Sequence, residues 1–324
     1  MKATAIAPSN IAFIKYWGKT DEILRLPENG SISINLDNLL TTTTVDFSEN
    51  YKTDEVSFNG SRPNNADRII KHLDRIRNLA GVKMKARVVT INNFPTAAGI
   101  ASSASGFAAL TVATAAALNL NLSEKDLSIL ARQGSGSACR SIPSGFVEWL
   151  DGNTSDTSYA VSLYPPDHWD IVDVVAIVSD EQKKISTSAG QRFCRTSPFF
   201  ATRLANLGNK IENIKTYLAN RDFQAFGELI EAEALELMAI LITSTPALIY
   251  WHPETIKLIK NIIGWRTEGL SVYFTEDAGQ NLHIIIERKN LEALLAKLEE
   301  VEEIKKLIIN KPGRGTTMTP QHLF

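Results

Sequence analysis

The chain of 324 residues is long enough for one large domain or two ordinary ones. Apolar residues make up 44% and charged residues 22%, a globular balance that excludes a disordered or collagen-like chain. Lys and Arg number 34 against 36 Asp and Glu, a net charge of −2 without long runs of one sign, which argues against a nucleic-acid partner. Apolar runs such as Val174 to Val178 are too short to span a bilayer. The start, Met1-Lys2-Ala3-Thr4 on to Pro8-Ser9-Asn10, carries no signal-peptide core, so a cytoplasmic protein without membrane contact is expected. The two cysteines, Cys139 and Cys194, have no metal-ligand spacing and read as free thiols.

Strands are expected at Ser31 to Leu36, Thr42 to Phe47 and Glu55 to Phe58, the last closed by the turn signal Asn59-Gly60. A helix follows from Asn65 to Leu79, with Ile69, Ile70, Leu73 and Ile76 on one stripe, then a strand at Ala86 to Ile91. Helices are expected from Ser102 to Leu118 and after the capping-box pattern Ser123 to Asp126, ending near Arg132. Strands return at Gly145 to Trp149 and Ile171 to Val178. The second half is mostly helical, through Leu204 to Leu218, Phe223 to Thr243 and His252 to Arg266. Short strands at Ser271 to Thr275 and His283 to Glu287 precede an amphipathic helix carrying Leu291, Leu294, Leu298, Val301 and Ile304. Strands mixed with helices argue an α+β fold of two domains, 1–180 and 181–324.

Four segments carry candidate chemistry. Asn92 to Gly106, NNFPTAAGIASSASG, lies between a strand and a helix, where small residues and a helix start suit phosphate; tight packing is the plainer reading. It lacks the Walker pattern. Gly134 to Arg140, GSGSACR, is a donor-rich loop whose arginine fits a carboxylate or phosphate, or an ordinary solvent loop. Lys15 to Lys19, KYWGK, is a strand edge or an anion site, and the turn Thr275 to Asn281 presents Asp277.

Together with LPENGSISINL at Leu26 to Leu36, these segments resemble the mevalonate diphosphate decarboxylases, from Ala5 to about Ile286. These belong to the small-molecule kinase superfamily that includes galactokinase, homoserine kinase, mevalonate kinase and phosphomevalonate kinase. The resemblance implies a half like domain 2 of ribosomal protein S5, then a ferredoxin-like half carrying the catalytic aspartate. It implies that ATP, with Mg2+, phosphorylates the 3-hydroxyl of 5-diphosphomevalonate, after which phosphate and CO2 leave to give isopentenyl diphosphate. By motif matching, the catalytic set would be Asp277, Lys15, Arg140 and Ser137. The substrate would lie against Tyr16, Trp17, Gly18, Lys19, Arg68, Ser135, Gly136, Ala138, Cys139 and Ser188. ATP would lie against Pro95, Ala98, Gly99, Ala101, Ser102, Ser103, Ser105 and Lys183.

A homodimer is the further implication. The chain departs from the family pattern at Glu276 for phenylalanine, Gln280 for proline and Gln191 for methionine. Decarboxylation of 5-phosphomevalonate, a 3-kinase that stops at phosphorylation, and a non-catalytic binding paralogue remain alternatives; Lys19 favours the diphosphate.

Overall fold

The computed structural model describes residues 1–64, 66–94, 102–181 and 185–324. In chain order, β1 (Lys2–Ile14), β2 (Lys19–Asp21), β3 (Leu26–Pro27), β4 (Ser31–Ser48) and β5 (Glu55–Phe58) lead to α1 (Ala66–Ala80) and β6 (Lys85–Asn92). Helices α2 (Ser102–Ala117) and α3 (Glu124–Gly134) precede β7 (Phe146–Trp149), β8 (Ala160–Tyr164) and β9 (Ile171–Ile177). Then follow α4 (Thr187–Gly190), α5 (Phe200–Asn220), α6 (Phe223–Thr243), α7 (Pro253–Thr267), β10 (Val272–Thr275), β11 (Leu282–Glu287), α8 (Leu291–Glu299), β12 (Lys306–Asn310) and β13 (Thr317–Thr319).

The first sheet has the order β13-β1-β4-β6-β5, with β7 on β4 and β8 on β7; β5 and β6 pair parallel and the other pairs are antiparallel. β4 is one long strand where two were expected. Its Asp37-Asn38 step, poor in β propensity, marks a shift in register opposite Pro8 and Ser9 rather than a chain end. Pro8, which has no N–H to give, sits at that break. The four-stranded second sheet, β10-β11-β9-β12, is antiparallel.

The chain leaves the first sheet at Tyr164 and enters the second at Ile171, ahead of the expected division at 180/181, while β13 returns to β1. Three layers of core hold this arrangement. Ala5, Val45 and Val88 on one face of the first sheet pack on α1, α2 and α3 through Leu73, Ala109 and Leu130. The other face, with Ile11, Phe13 and Ile34, packs on Leu207, Ile214, Phe226 and Ile230 of α5 and α6 and on Val175 and Ile285 of the second sheet. The far side of that sheet is covered by Leu258 and Ile262 of α7 and by Leu294 and Leu298 of α8. Burying each Val, Leu, Ile or Phe side chain among these contributes roughly 1.5–3 kcal/mol. The middle layer matters most here, because it locks the end of β1 against the second half.

Candidate active site

β1 ends at Ile14, and the next residue is clamped by the second half. The Lys15 N–H donates to Glu233 Oε1 (3.1 Å), and its carbonyl accepts from Asn29 Nδ2 (2.9 Å) and Arg203 Nη2 (2.9 Å). Arg203 of α5 and Glu233 of α6 form an ion pair with both side chains fully buried, joined by Lys210 at 2.7 Å. Buried pairs cost more than they return unless their remaining donors and acceptors are met, and the Lys15 peptide meets them. With its backbone fixed, Lys15 Nζ donates to the Ala12 carbonyl and lies 3.4 Å from Asp277 Oδ1. Burial pushes the Lys15 ammonium below its ordinary pKa, against the pull of Asp277. Asp277 stands in the turn between β10 and β11, its side chain 30% exposed.

Arg140 faces the same place. It is 3% exposed, yet its hydrogen bonds go to the neutral oxygens of Ser31 (Oγ, 2.9 Å) and Asn10 (Oδ1, 3.1 Å), and among the described residues its Nε has no hydrogen-bond partner. Trp149 lies beneath it, 5.8 Å from the ring centroid. Among the described residues no carboxylate lies within 4.0 Å of Arg140, although the Asp277 charge acts on it from farther off, and a buried guanidinium so placed costs several kcal/mol until an anion arrives. Asn10 also donates to the Ser137 carbonyl (3.2 Å) and to Ser141 Oγ (2.8 Å), so the loop is tied to β1.

The expected donor-rich loop is a 3₁₀ turn, Gly136–Ser141, entered directly from α3. Gly136 is needed because a Cβ there would lie 2.8 Å from Tyr16. Tyr16 stacks at a tilt on Trp149 (centroids 4.6 Å), and among the described residues its buried Oη has no hydrogen-bond partner. Burial raises the phenol's pKa, so it keeps its proton as a donor for a ligand. Ser135 Oγ reaches Ser103 Oγ (3.3 Å), which brings this loop to the start of α2. Ser102 and Ser103, with Phe58, Ile69, Thr90 and Phe107, line a cavity of about 160 Å³. Ser105 turns inward, bonded to Thr41 Oγ1 at 2.6 Å. Pro95, Ala98, Gly99, Ala101 and Lys183 lie outside the described residues.

Arg68 donates to the Gly134 carbonyl from Nε (3.2 Å) and Nη2 (2.7 Å) and covers the Phe107 ring at 4.5 Å. Lys19 is held by both oxygens of Glu22 at 2.9 Å. Gly18 has φ +93°, and a Cβ there would meet Glu28 at 2.7 Å. Two expected contacts have buried side chains engaged elsewhere. The Trp17 indole is 2% exposed in a core cluster with Cys194, Phe200 and Leu237, and the Cys139 thiol is turned onto the Gly136 carbonyl (3.1 Å). Burial pushes Cys139 up to about 12, which makes it inert. Ala138 is fully buried, and Ser188 is half-buried on α4.

Asn10, Asn29, Ser31, Arg203 and Glu233 were not anticipated. The available signal was polar residues inside otherwise apolar strands and helices, which demand partners when buried. Glu276, noted only as a departure from the family pattern, is fully buried: Trp251 Nε1 donates to Oε1 (2.6 Å), while Oε2 has no hydrogen-bond partner among the described residues. Burial raises its carboxyl to about 8, opposed by the Trp251 bond and Lys15 and aided by Asp277. A folded value above the ordinary 4.5 means stability present below about pH 4.5 is lost as pH rises through 8. Glu276→Gln, which does not titrate, is therefore expected to raise Tm more at pH 8 than at pH 5.5; calorimetry at both values checks it, and equal shifts would contradict it. Among the described residues, no group of three His, Cys, Asp or Glu side chains is placed to hold a metal ion.

Residues 7–160 match the diphosphomevalonate decarboxylase-like N-terminal domain, and residues 173–318 match the mevalonate 5-diphosphate decarboxylase C-terminal domain. The chain is 37% identical over 315 residues to a diphosphomevalonate decarboxylase of Candida albicans, covering 91% of this chain and 87% of that one. The human protein of the same name is 35% identical over 302 residues, with coverages of 86% and 75%. Among solved structures, the mevalonate diphosphate decarboxylase of Staphylococcus aureus superposes with a TM-score of 0.94 at 37% identity, covering 98% of both chains. A structure described as MDDEF in complex with MVAPP, AMPPCP and magnesium gives 0.93 at 38% identity, covering 98% of this chain and 99% of that one.

Proposed function

The chain belongs to the diphosphomevalonate decarboxylase family, and from that premise we infer that it is an ATP- and Mg2+-dependent enzyme converting 5-diphosphomevalonate to isopentenyl diphosphate, ADP, phosphate and CO2. The observation that carries this reading is the convergence of Lys15, Asp277 and Arg140, with Arg140 a buried cation that has only neutral partners. A tertiary alcohol is a weak nucleophile and hydroxide a poor leaving group, so the 3-oxygen must first take the γ-phosphoryl group of ATP. Asp277 takes or orients the hydroxyl proton, with Lys15 setting the charge around it. The C3–O bond then breaks with release of phosphate, the C1–C2 pair becomes the C2=C3 double bond, and C1 leaves as CO2. Arg140 and the Ser137 loop hold the C1 carboxylate so that this bond lies where the pair must go.

In this reading, Tyr16, Lys19, Arg68, Ser135 and Ser188 face the diphosphate, and the loop leading to Ser102 and Ser103 cradles the ATP phosphates. The first half supplies the phosphate loops and the second supplies the aspartate. Magnesium takes octahedral oxygen ligands and commonly keeps water and substrate phosphates in its shell. That fits a site where hydroxyls such as those of Ser102 and Ser103, rather than a cage of carboxylates, stand at the cavity. When bound, the ion neutralises phosphate charge.

Two finer points belong to the same reading. A homodimer in the cytoplasm is supported by the family resemblance, and light scattering at twice the chain mass checks the dimer. Lys19→Ala is expected to raise KM for the diphosphate about tenfold with kcat little changed; an unchanged KM would favour the monophosphate. The reading as a whole is tested by mass spectrometry of the products from ATP, Mg2+ and 5-diphosphomevalonate: isopentenyl diphosphate is expected, and unchanged substrate would support a binding paralogue.

A further inference from the structure

The β2–β3 hairpin is pinned to α3 by reciprocal bonds. Asp21 Oδ1 accepts the N–H groups of Ile23 and Leu24 (both 2.7 Å), Arg132 Nε donates to the Leu24 carbonyl (3.0 Å), and Arg25 Nε donates to the Gln133 carbonyl (3.2 Å). Arg25 itself is left-handed, φ +54°, a conformation unusual for a side chain of that size. Its guanidinium and that of Arg68 thus hang from successive carbonyls, Gln133 and Gly134, at the end of α3. The helix dipole favours cations there, but it does not account for three of them. Arg75, one further turn pair along α1, adds a third charge. Arg68 is held down to about 10 by burial and then by Arg25 and Arg75.

Glu22 feels the Arg25 charge from outside contact distance. Among the described residues, no carboxylate lies within 4.0 Å of Arg25, Arg68 or Arg75, and nearby Glu22 is engaged by Lys19 and Arg192. His72, between Arg68 and Arg75 on α1, is depressed to about 3 by burial and then by the three arginines, so it stays neutral. Its tautomer follows from its partners: Thr111 Oγ1 gives its proton to the Phe107 carbonyl (2.6 Å), so His72 Nε2 donates to Thr111 (2.8 Å) and Nδ1 accepts from Arg75 (3.3 Å). The Arg25 charge acts on Tyr16, Lys19, Arg68 and Arg75 alike, and Tyr16 is the buried, unpartnered hydroxyl beside Lys15.

We infer that Arg25 is a specificity-determining residue: with Arg68 and Arg75 it takes the terminal phosphate of the substrate's diphosphate, and so selects two phosphates over one. This rests on the proposed function, in which Lys19 also faces the diphosphate: Lys19 is already paired with Glu22, so Arg25, which has no carboxylate within 4.0 Å among the described residues, adds the charge for the phosphate beyond it. A diphosphate brings the extra negative charge that three arginines await, and the planar guanidinium fork suits phosphate oxygens.

The test uses the full chain as Arg25→Met and Arg25→Lys. Steady-state kinetics with 5-diphosphomevalonate and calorimetric titration with inorganic pyrophosphate and orthophosphate are read beside melting curves. Arg25→Met is expected to raise KM at least tenfold with kcat within threefold, to weaken pyrophosphate but not orthophosphate, and to be partly rescued by lysine. An unchanged KM with unchanged pyrophosphate affinity, or equal weakening of both anions, overturns the assignment. If Arg25→Met does not fold, Arg25→Lys decides by the same pyrophosphate-to-orthophosphate ratio. Were the wild type to leave the diphosphate unconverted, the functional reading would fail, and the pyrophosphate titration would still judge Arg25.

Discussion

Asp277→Asn is expected to lower kcat about a thousandfold while changing KM for the diphosphate by less than threefold. A positioned general base contributes ~10²–10⁴ in rate, and a group that acts mainly in the transition state shows its loss in kcat rather than in binding. Asparagine preserves shape and still offers an oxygen to Lys15 Nζ, which lies 3.4 Å from the carboxylate in the wild type. The clamp on the Lys15 peptide from Glu233, Asn29 and Arg203 does not involve Asp277, so the fold is expected to survive. Single-turnover and steady-state rates settle it; a twofold loss would remove Asp277 from the chemistry.

Arg140→Gln should cost about as much by a different route. Removing one partner of a desolvated charge pair costs ~2–5 kcal/mol, which is about 30- to 5,000-fold in kcat/KM. The loss should be shared between KM and kcat, since in the proposed reading this residue both binds and aligns the carboxylate. Among the described residues Arg140 has no carboxylate in contact to strand, because Ser31 and Asn10 are its hydrogen-bond partners. The unliganded protein should therefore be no less stable than wild type, and a simultaneous loss of activity with a large drop in Tm would point instead to a structural role.

What could be read from the sequence followed the strength of local pattern. Helix α6 was expected over Phe223 to Thr243 and spans those residues, because its apolar positions recur at helical spacing. The capping box at Ser123 is present, with Asp126 N–H donating to Ser123 Oγ at 3.2 Å. β1 gave no such signal: KATAIAPSNIAFI is alanine-rich and contains a proline, and it is a strand because it lies between β4 and β13. The last helix stops at Glu299 although its apolar stripe runs on to Ile304. Val301 packs in the same core from a turn, which frees Lys306 to begin the strand beside β9.

The site divided in the same way. Motifs named Lys15, Asp277 and Arg140, while the residues that hold them in place were invisible. The clamp on Lys15 joins residues more than two hundred positions apart, Glu233 to the Lys15 N–H, and no local spacing encodes that. The near-zero net charge likewise averages over a molecule in which Arg25, Arg68 and Arg75 gather near one end of α3 and Arg140 lies buried within reach of the Asp277 charge.

The central claim is that phosphoryl transfer and loss of the carboxylate are coupled at the Lys15–Asp277–Arg140 site. The most direct measurement is the ratio of CO2 to ADP released by the purified protein with ATP, Mg2+ and 5-diphosphomevalonate labelled at C1. One CO2 per ADP is expected throughout the reaction, whereas ADP formed without CO2 would show a kinase and contradict the coupling.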